Sequence, residues 1–360
     1  MGLLSGKNKL LLGLDIGSSS VKVCELQSVG KKDGPQFRLQ KLGVTHIPHD
    51  SIVDGDIMDS NAVAAAIRQV LAEQKIKARE VAISVSGQQV IVKKVTLQLM
   101  SQSELIESIR WEAESFFPAG HSFDSYVLDY TVLEERKPEG NMDVLLVACR
   151  KDKLESYSSC AIQAGLKPAL VDLDVFALQN AYVSNVASGG YDEVVALVNI
   201  GANFTNLCMM IGKRSVFWRD LAFGGNRYTE KLMEDWGVTR EGAEDLKHGV
   251  SVENRTPAEV ESSMAAVSDL FANELSRNTE FFRTNFKVDH LDRIVLSGGG
   301  SKVTNLTGIL RDRFRVTVET LNPFSAIEVD ERGANYDVAG DLGCAAAIVV
   351  GLALRVEGDR

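Results

Sequence analysis

The stretch LLLGLDIGSSSVKVCEL, residues 10–26, is an apolar run that delivers one carboxylate, Asp15, to its end. It then turns through Gly17-Ser18-Ser19-Ser20 and returns as the alternating Val21-Lys22-Val23-Cys24. The pattern predicts a strand, a tight turn and a second strand. Glycine lets the backbone bend close to a ligand, and successive turn amides with serine hydroxyls form a nest for phosphate oxygens. Lys22 adds a point charge. A carboxylate just before the bend repels phosphate but suits a hydrated Mg²⁺ that bridges phosphates. An ordinary β-hairpin with a polar turn would read the same way, because short Gly/Ser motifs are common.

A second copy changes that balance. VVALVNIGANFTNLCMMI, residues 194–211, repeats the arrangement: an apolar strand, Asn199-Ile200-Gly201, a turn through Ala202, Asn203 and Thr205, and an apolar return strand. Two such hairpins predict a duplicated α/β fold whose halves face each other across a cleft. A third signal is RIVLSGGGS, residues 293–301, a buried-type strand ending in Gly298-Gly299-Gly300. There the backbone must approach something flat or take positive φ.

The chain has 360 residues, 45% of them hydrophobic, which is enough for a large core and usual for two domains. Its net charge of −10 disfavours nucleic acid and anionic lipid. The five cysteines form no C-x-x-C pair and read as buried thiols of a reducing compartment. The start MGLLSGKNKLLLG resembles a signal peptide, but Asp15 interrupts the apolar run, so a core strand is expected. Leu342 to Leu354 carries no charge yet falls short of the roughly 20 residues of a bilayer span, so it reads as a buried helix. A soluble cytoplasmic chain is expected.

Asp59 or Ser60 is placed to cap a helix over Asn61 to Gln74, followed by a buried strand Val81 to Val85. From Val90 the pattern changes. A strand to Leu99 leads to a helix opened by the capping box Ser101 and Glu104, which stops at Phe116-Phe117-Pro118. Two alternating strands and a helix, about Asp152 to Ala164, follow. Strand Ala169 to Leu173 then meets a helix at which Asp174 or Asp172 could serve as cap. Farther on, Glu244 and Lys247 share a helix face, and a long helix from Pro257 presents Val260, Met264, Val267, Phe271 and Leu275 as a core stripe.

The three motifs in this order resemble the actin-like ATPase superfamily, and residues 10–355 look most like the PilM family of type IV pilus assembly, relatives of the division protein FtsA. The resemblance is carried by LLGLDIGSSSVKVCEL, by Leu170-Val171-Asp172-Leu173-Asp174-Val175-Phe176-Ala177 and by Phe223-Gly224-Gly225-Asn226 before a helix. It implies an actin-like fold divided as 1–89, a 1C-type insert 90–170, a connecting helix 171–185, a second domain 186–335 and a C-terminal helix 336–360 returning to the first domain. It implies ATP with Mg²⁺ in the cleft, the phosphates on the two hairpins and the adenosine on the glycine turn. Glu244 and Lys247 would then flank base and ribose rather than form a plain surface pair. Asp174 falls near the attacking water, with Asp172 the alternative. Asn199 stands where the superfamily has aspartate, so slow hydrolysis at most is expected.

The implied partner is the N-terminal cytoplasmic tail of a PilN-like inner-membrane protein, lying between the first half and the insert near Phe116, Phe117 and Tyr126. Those aromatics would equally fill the insert's own core. Pilus motor and platform proteins and self-association are further implied partners, with membrane contact only through partners. A linker and membrane helix of the FtsA type are not expected after Glu357-Gly358-Asp359-Arg360. An FtsA-like division protein and a small-molecule kinase of the same superfamily are the rival readings.

Overall fold

The computed structural model describes residues 9–30, 36–118, 120, 122–185, 192–249 and 257–359. The leader-like start, residues 1–8, and the expected start of the second half at 186 lie outside them. The chain opens with β1 (Leu12–Ile16), β2 (Ser20–Ser28) and β3 (Phe37–His46), then a short hairpin, β4 (Ile52–Val53) and β5 (Asp56–Ile57). Helix α1 (Ser60–Glu73) follows, its end capped by the Asp59 carboxylate on the Ala62 amide, and then β6 (Glu80–Val85).

Next come β7 (Val90–Gln98), α2 (Gln102–Glu114), β8 (Tyr126–Arg136) and β9 (Asn141–Arg150), then α3 (Lys151–Gln163), β10 (Lys167–Leu173) and α4 (Asp174–Asn185). The second half holds β11 (Val194–Ile200), β12 (Thr205–Ile211), β13 (Arg214–Leu221), α5 (Asn226–Trp236), α6 (Arg240–Lys247) and α7 (Pro257–Phe286). It continues as β14 (Arg293–Ser297), α8 (Leu306–Phe314), β15 (Thr317–Thr320), β16 (Ile327–Glu328), α9 (Asn335–Leu342) and α10 (Ala347–Ala353).

Two sheets repeat one plan. In the first the order is β10-β6-β1-β2-β3-β16, and in the second β13-β12-β11-β14-β15. In each, three antiparallel strands are joined by two parallel ones: β3-β2-β1 then β6 and β10, and β13-β12-β11 then β14 and β15. Near-continuous apolar runs such as β1 and β11 follow from this, because a central strand with parallel neighbours is covered on both faces. Leu12, Leu14 and Ile16 pack with Val63, Ile67 and Val70 of α1 and Cys160 and Ala161 of α3. Along α7 the expected stripe from Val260 to Leu275 is buried in the second lobe's core.

Helices α4 and α10 lie between the two sheets. Their Ala177, Leu178, Ile348 and Leu352 share one cluster with Leu11 and Ala82 of the first lobe and Val195, Leu197 and Cys208 of the second. The helices cross so closely that a Cβ on Gly351 would lie 1.8 Å from the Ala177 carbonyl oxygen, which only glycine permits. The helical run Asn335–Ala353, mean hydropathy 1.5, is long and apolar enough to cross a membrane. Its last turns, Ala347–Ala353, are buried throughout, as a core helix requires.

The insert is smaller than the sequence pattern suggests. β7, β9 and β8 form a separate antiparallel sheet, and α2 covers one face with Leu105, Ile109 and Ala113 against Val95, Val144 and Leu146. Both halves of the Ser101–Glu104 capping box are formed. Helix α3, which lies within the expected insert 90–170, packs on the first lobe, and so does strand β10, which straddles the expected boundary at 170. Tyr157, Cys160 and Ala161 of α3 enter its core, and β10 pairs in parallel with β6. The separate sheet therefore ends at Arg150, because the apolar face of α3 meets α1 rather than the insert.

Candidate functional site

The turns of the two hairpins are built alike. In the first lobe the Gly17 amide donates to the Ser20 carbonyl at 3.1 Å, and in the second the Gly201 amide donates to the Phe204 carbonyl at 2.8 Å. Each glycine N–H thus closes its turn. Among the described residues the next two amides of each turn, those of Ser18 and Ser19 and of Ala202 and Asn203, form no backbone bond. Successive free amides at a strand-to-strand bend are an anion nest. Opposite Asp15 in the β1–β2 register stands Lys22, whose Nζ donates to Oδ2 at 2.9 Å with both side chains largely buried.

Two expected phosphate contacts are otherwise engaged. Thr205 is fully buried, and its hydroxyl donates to the Phe223 carbonyl at 2.8 Å, which ties the second hairpin to the turn after β13. Ser20 is also buried, and it is its carbonyl that closes the first turn. Asn199 is buried at the end of β11, with Nδ2 donating to Asn206 Oδ1 at 2.8 Å and Oδ1 accepting from the Ser297 hydroxyl at 3.2 Å.

The glycine turn joins this second hairpin. Gly298 has φ 81° and ψ 161°, a region reserved for glycine, and a Cβ there would lie 2.3 Å from the Ile200 carbonyl oxygen. Gly299 has no heavy atom within 4 Å of an added Cβ, so its surface is open. The Gly225 amide donates to Gly201 and the Asn226 amide to Ala202, each at 2.8 Å, which stacks the Phe223–Asn226 turn on the same hairpin.

Helix α6 reaches this turn through side chains. Glu244 accepts from Thr229 at 2.5 Å and from Lys247 at 2.6 Å, while Arg240 donates to Asn226 Oδ1 at 2.7 Å. Burial opposes the charge on Glu244, but the bonds from Lys247 and Thr229 outweigh it and hold its carboxyl below the ordinary range. Arg240 was missed in the sequence, although it lies on the Glu244 face at i, i+4.

Asp174 and Asp172 part company. Asp172 is buried beside Arg355, 3.4 Å from Nε. Asp174 is the first residue of α4, and its carboxylate accepts from the Ser84 hydroxyl at 2.6 Å rather than capping the helix. Burial, then the charge of Asp15, push its pKa up to about 6 against the pull of Ser84 and Ser86. The charge of Asp15 is therefore felt at Asp174, which places the two carboxyl groups in one neighbourhood.

Further polar groups nearby carried no sequence signal. Lys153 of α3 is buried with its Nζ 2.7 Å from the Gly55 carbonyl, and Tyr157 donates to the same oxygen at 3.0 Å. Burial lowers the Lys153 pKa against the pull of Asp56, Asp174 and Asp220. Asp220 of β13 accepts from Asn206 at 2.8 Å and from the Gly87 amide of the first lobe at 2.5 Å. Beside it a cavity of about 270 Å³ lies between Val85–Gln88 and Leu173–Val175 of the first lobe, Val90–Lys93 and Phe116 of the insert, and Trp218–Asp220. Of the other insert aromatics, Phe117 stacks on Tyr126 at 4.2 Å and Tyr126 is buried, so that pair fills the insert's interior.

A duplicated sheet plan with helices between the lobes, a turn-amide nest on each side and a glycine turn on the second lobe define an actin-like ATPase fold. The chain belongs to the PilM family of type IV pilus assembly proteins, whose pattern matches residues 13–357. It is similar to the solved PilM-PilN type IV pilus biogenesis complex, with a TM-score of 0.85 and 27% identity over 97% of this chain and 98% of that one. The ethanolamine utilization protein EutJ of Carboxydothermus hydrogenoformans matches at TM-score 0.56 and 13% identity, over 96% and 89%. MreB5 of Spiroplasma citri bound to ADP matches at 0.52 and 11%, over 95% and 94%. The last two likenesses speak to the fold alone.

Proposed function

We propose that this chain binds ATP with Mg²⁺ between its hairpins and, depending on the nucleotide, holds the N-terminal cytoplasmic tail of a PilN-like inner-membrane protein between the first lobe and the insert. The observation that carries the reading is the matched pair of turns, each closed by its glycine amide and each leaving the next two amides free. The residues fit the ligand. Ser18, Ser19 and Lys22 would hold one end of a triphosphate, Ala202 and Asn203 the other, and Gly298–Gly300 with Glu244 and Lys247 the nucleoside. Asp15 would hold Mg²⁺ through water. Bound Mg-ATP supplies a polyanion and a hydrated cation.

Because the nests sit on different lobes, gripping one polyanion holds the lobes together, and that is the differential contact a nucleotide switch needs. Asp174 would take the proton released by an attacking water, and hydrolysis would be slow, since Asn199 cannot share that work as a carboxylate would. The solved relative's complex with PilN and the cavity beside Phe116 support the tail-binding half. Work in the cytoplasm at the inner membrane follows, with the partner as anchor.

Anisotropy titration of a labelled PilN-like tail peptide into the full chain tests this. We expect a Kd in the micromolar range, about −8 kcal/mol, and at least about tenfold weaker binding for Phe116→Ser, the loss of roughly 1.4 kcal/mol. Equal affinity in both proteins would move the partner elsewhere.

A further inference from the structure

A polar row crosses the second lobe's sheet and ends in the first lobe. Ser297, Asn199, Asn206 and Asp220 stand opposite one another on β14, β11, β12 and β13. Their side chains are linked in sequence at 3.2, 2.8 and 2.8 Å. The last carboxylate then accepts the Gly87 amide at 2.5 Å. One end of the row is the residue before Gly298, and its middle is Asn199 at the hairpin turn. Its other end is the link between β6 and β7, where the chain enters the insert, and there Gly87 has φ 97°.

Every bond in the row has a fixed direction. Asn199 accepts from Ser297 and donates to Asn206, which donates to Asp220, so each amide's orientation is set by its neighbour. Asp220 receives two N–H donors and so must present two acceptor oxygens. A second contact meets the same place: a Cβ on Gly87 would lie 4.0 Å from the ring of Phe204, the tip of the second hairpin. The cavity beside Phe116 adjoins this clasp, with Asp220 and Gly87 among its walls, leaving the insert room to shift.

We propose that Asp220 is a positioning residue that couples the cleft to the insert, transmitting the state of the Asn199 and Gly298 side through Gly87 to β7. The proposal rests on the nucleotide reading above and names the regulation of that site. Holding the second hairpin in its ligand-bound arrangement fixes Asn199, and with it the row, and the Gly87 amide stays clasped. Releasing it frees the root of the insert, and so biases the groove that the insert shares with the first lobe.

Hydrogen exchange on the full chain, with and without Mg·AMPPNP, tests the proposal. In the wild type the nucleotide should slow exchange across residues 86–93 by at least about fivefold, the lower end of ordinary coupling. Asp220→Asn is nearly isosteric but turns an NH₂ toward one of its two donors. It should bind AMPPNP within about threefold of wild type and keep protection in residues 201–205, yet lose the response at 86–93. Ser297→Ala, a smaller change at the far end, should reduce that response without touching Gly87. An undiminished response in both variants, or nucleotide binding by the wild type with no response at 86–93, overturns the proposal. A wild type that binds no AMPPNP overturns the nucleotide reading itself.

Discussion

At matching places in the two lobes the same backbone carries opposite chemistry. Where β1 faces β2 the pair is Asp15 and Lys22, an ion pair at 2.9 Å. Where β11 faces β12 it is Asn199 and Asn206, joined amide to amide at 2.8 Å. The first lobe thus carries a charged pair at this place and the second a directed amide pair. An ion pair can grip a metal and a phosphate, whereas two linked amides pass orientation along to Asp220. The same hairpin thus carries an ion pair in one lobe and an amide pair in the other.

The largest effect belongs to the glycine turn, which on this account only the second lobe uses. Gly298→Val forces a β-branched residue into a glycine-only region and against Ile200, and should lower stability by about 3 kcal/mol or more in a denaturant melt. Gly299→Val meets no neighbour, so it should melt like wild type and lose nucleotide alone. Equal melts for the two would contradict the assignment of their separate roles.

Making the lobes alike is the next test. Asn199→Asp replaces a donor to Asn206 with an oxygen and should cost about 1–3 kcal/mol of stability, the usual penalty for an unsatisfied buried group. If the missing acid limits hydrolysis, ATP turnover should rise in the same variant. Adding Asn206→Lys rebuilds the first lobe's pair and should recover part of the lost stability. A double variant less stable than the single would show that the two positions are not equivalent.

How much of this could be read from the chain alone follows from where each signal lies. The hairpins are local: apolar alternation, a Gly turn and a polar return strand fall within about 18 residues, and a sequence carries that information directly. The Ser101–Glu104 box is local too, and it forms as read. Asp220 and Asn206 were not legible, because their partnership is a register match between strands. Helix α3 shows an apolar face, yet periodicity does not say which element covers it, and here that element is the first lobe. Thr205 is ambiguous for a related reason: a polar turn residue can as well serve the next strand's backbone as a ligand.

Asp174 gives a smaller effect, and one with a definite sign. A carboxyl raised from 3.8 to about 6 binds its proton more tightly in the folded chain than in the unfolded one. Stability therefore falls as pH rises between those values and stays low above them. Asp174→Asn should remove this slope and be about 1–2 kcal/mol more stable than wild type at pH 7.5, after allowance for its cleft-facing side. The two curves should converge near pH 4. A wild-type slope retained in the variant would assign the titration to another group.

The smallest effect separates the two turns. Thr205→Val should cost about 1 kcal/mol of stability through its lost bond to Phe223, while nucleotide affinity stays within about twofold. A tenfold loss of affinity in that variant would return Thr205 to the ligand side.

Calorimetric titration of Mg-ATP into wild type, Lys22→Ala and Gly299→Val tests whether one nucleotide is held from both lobes. Each variant, confirmed folded by its melt, should bind at least about tenfold more weakly than wild type, a loss of roughly 1.4 kcal/mol from either lobe. Wild-type affinity in both variants would contradict a site shared between the lobes.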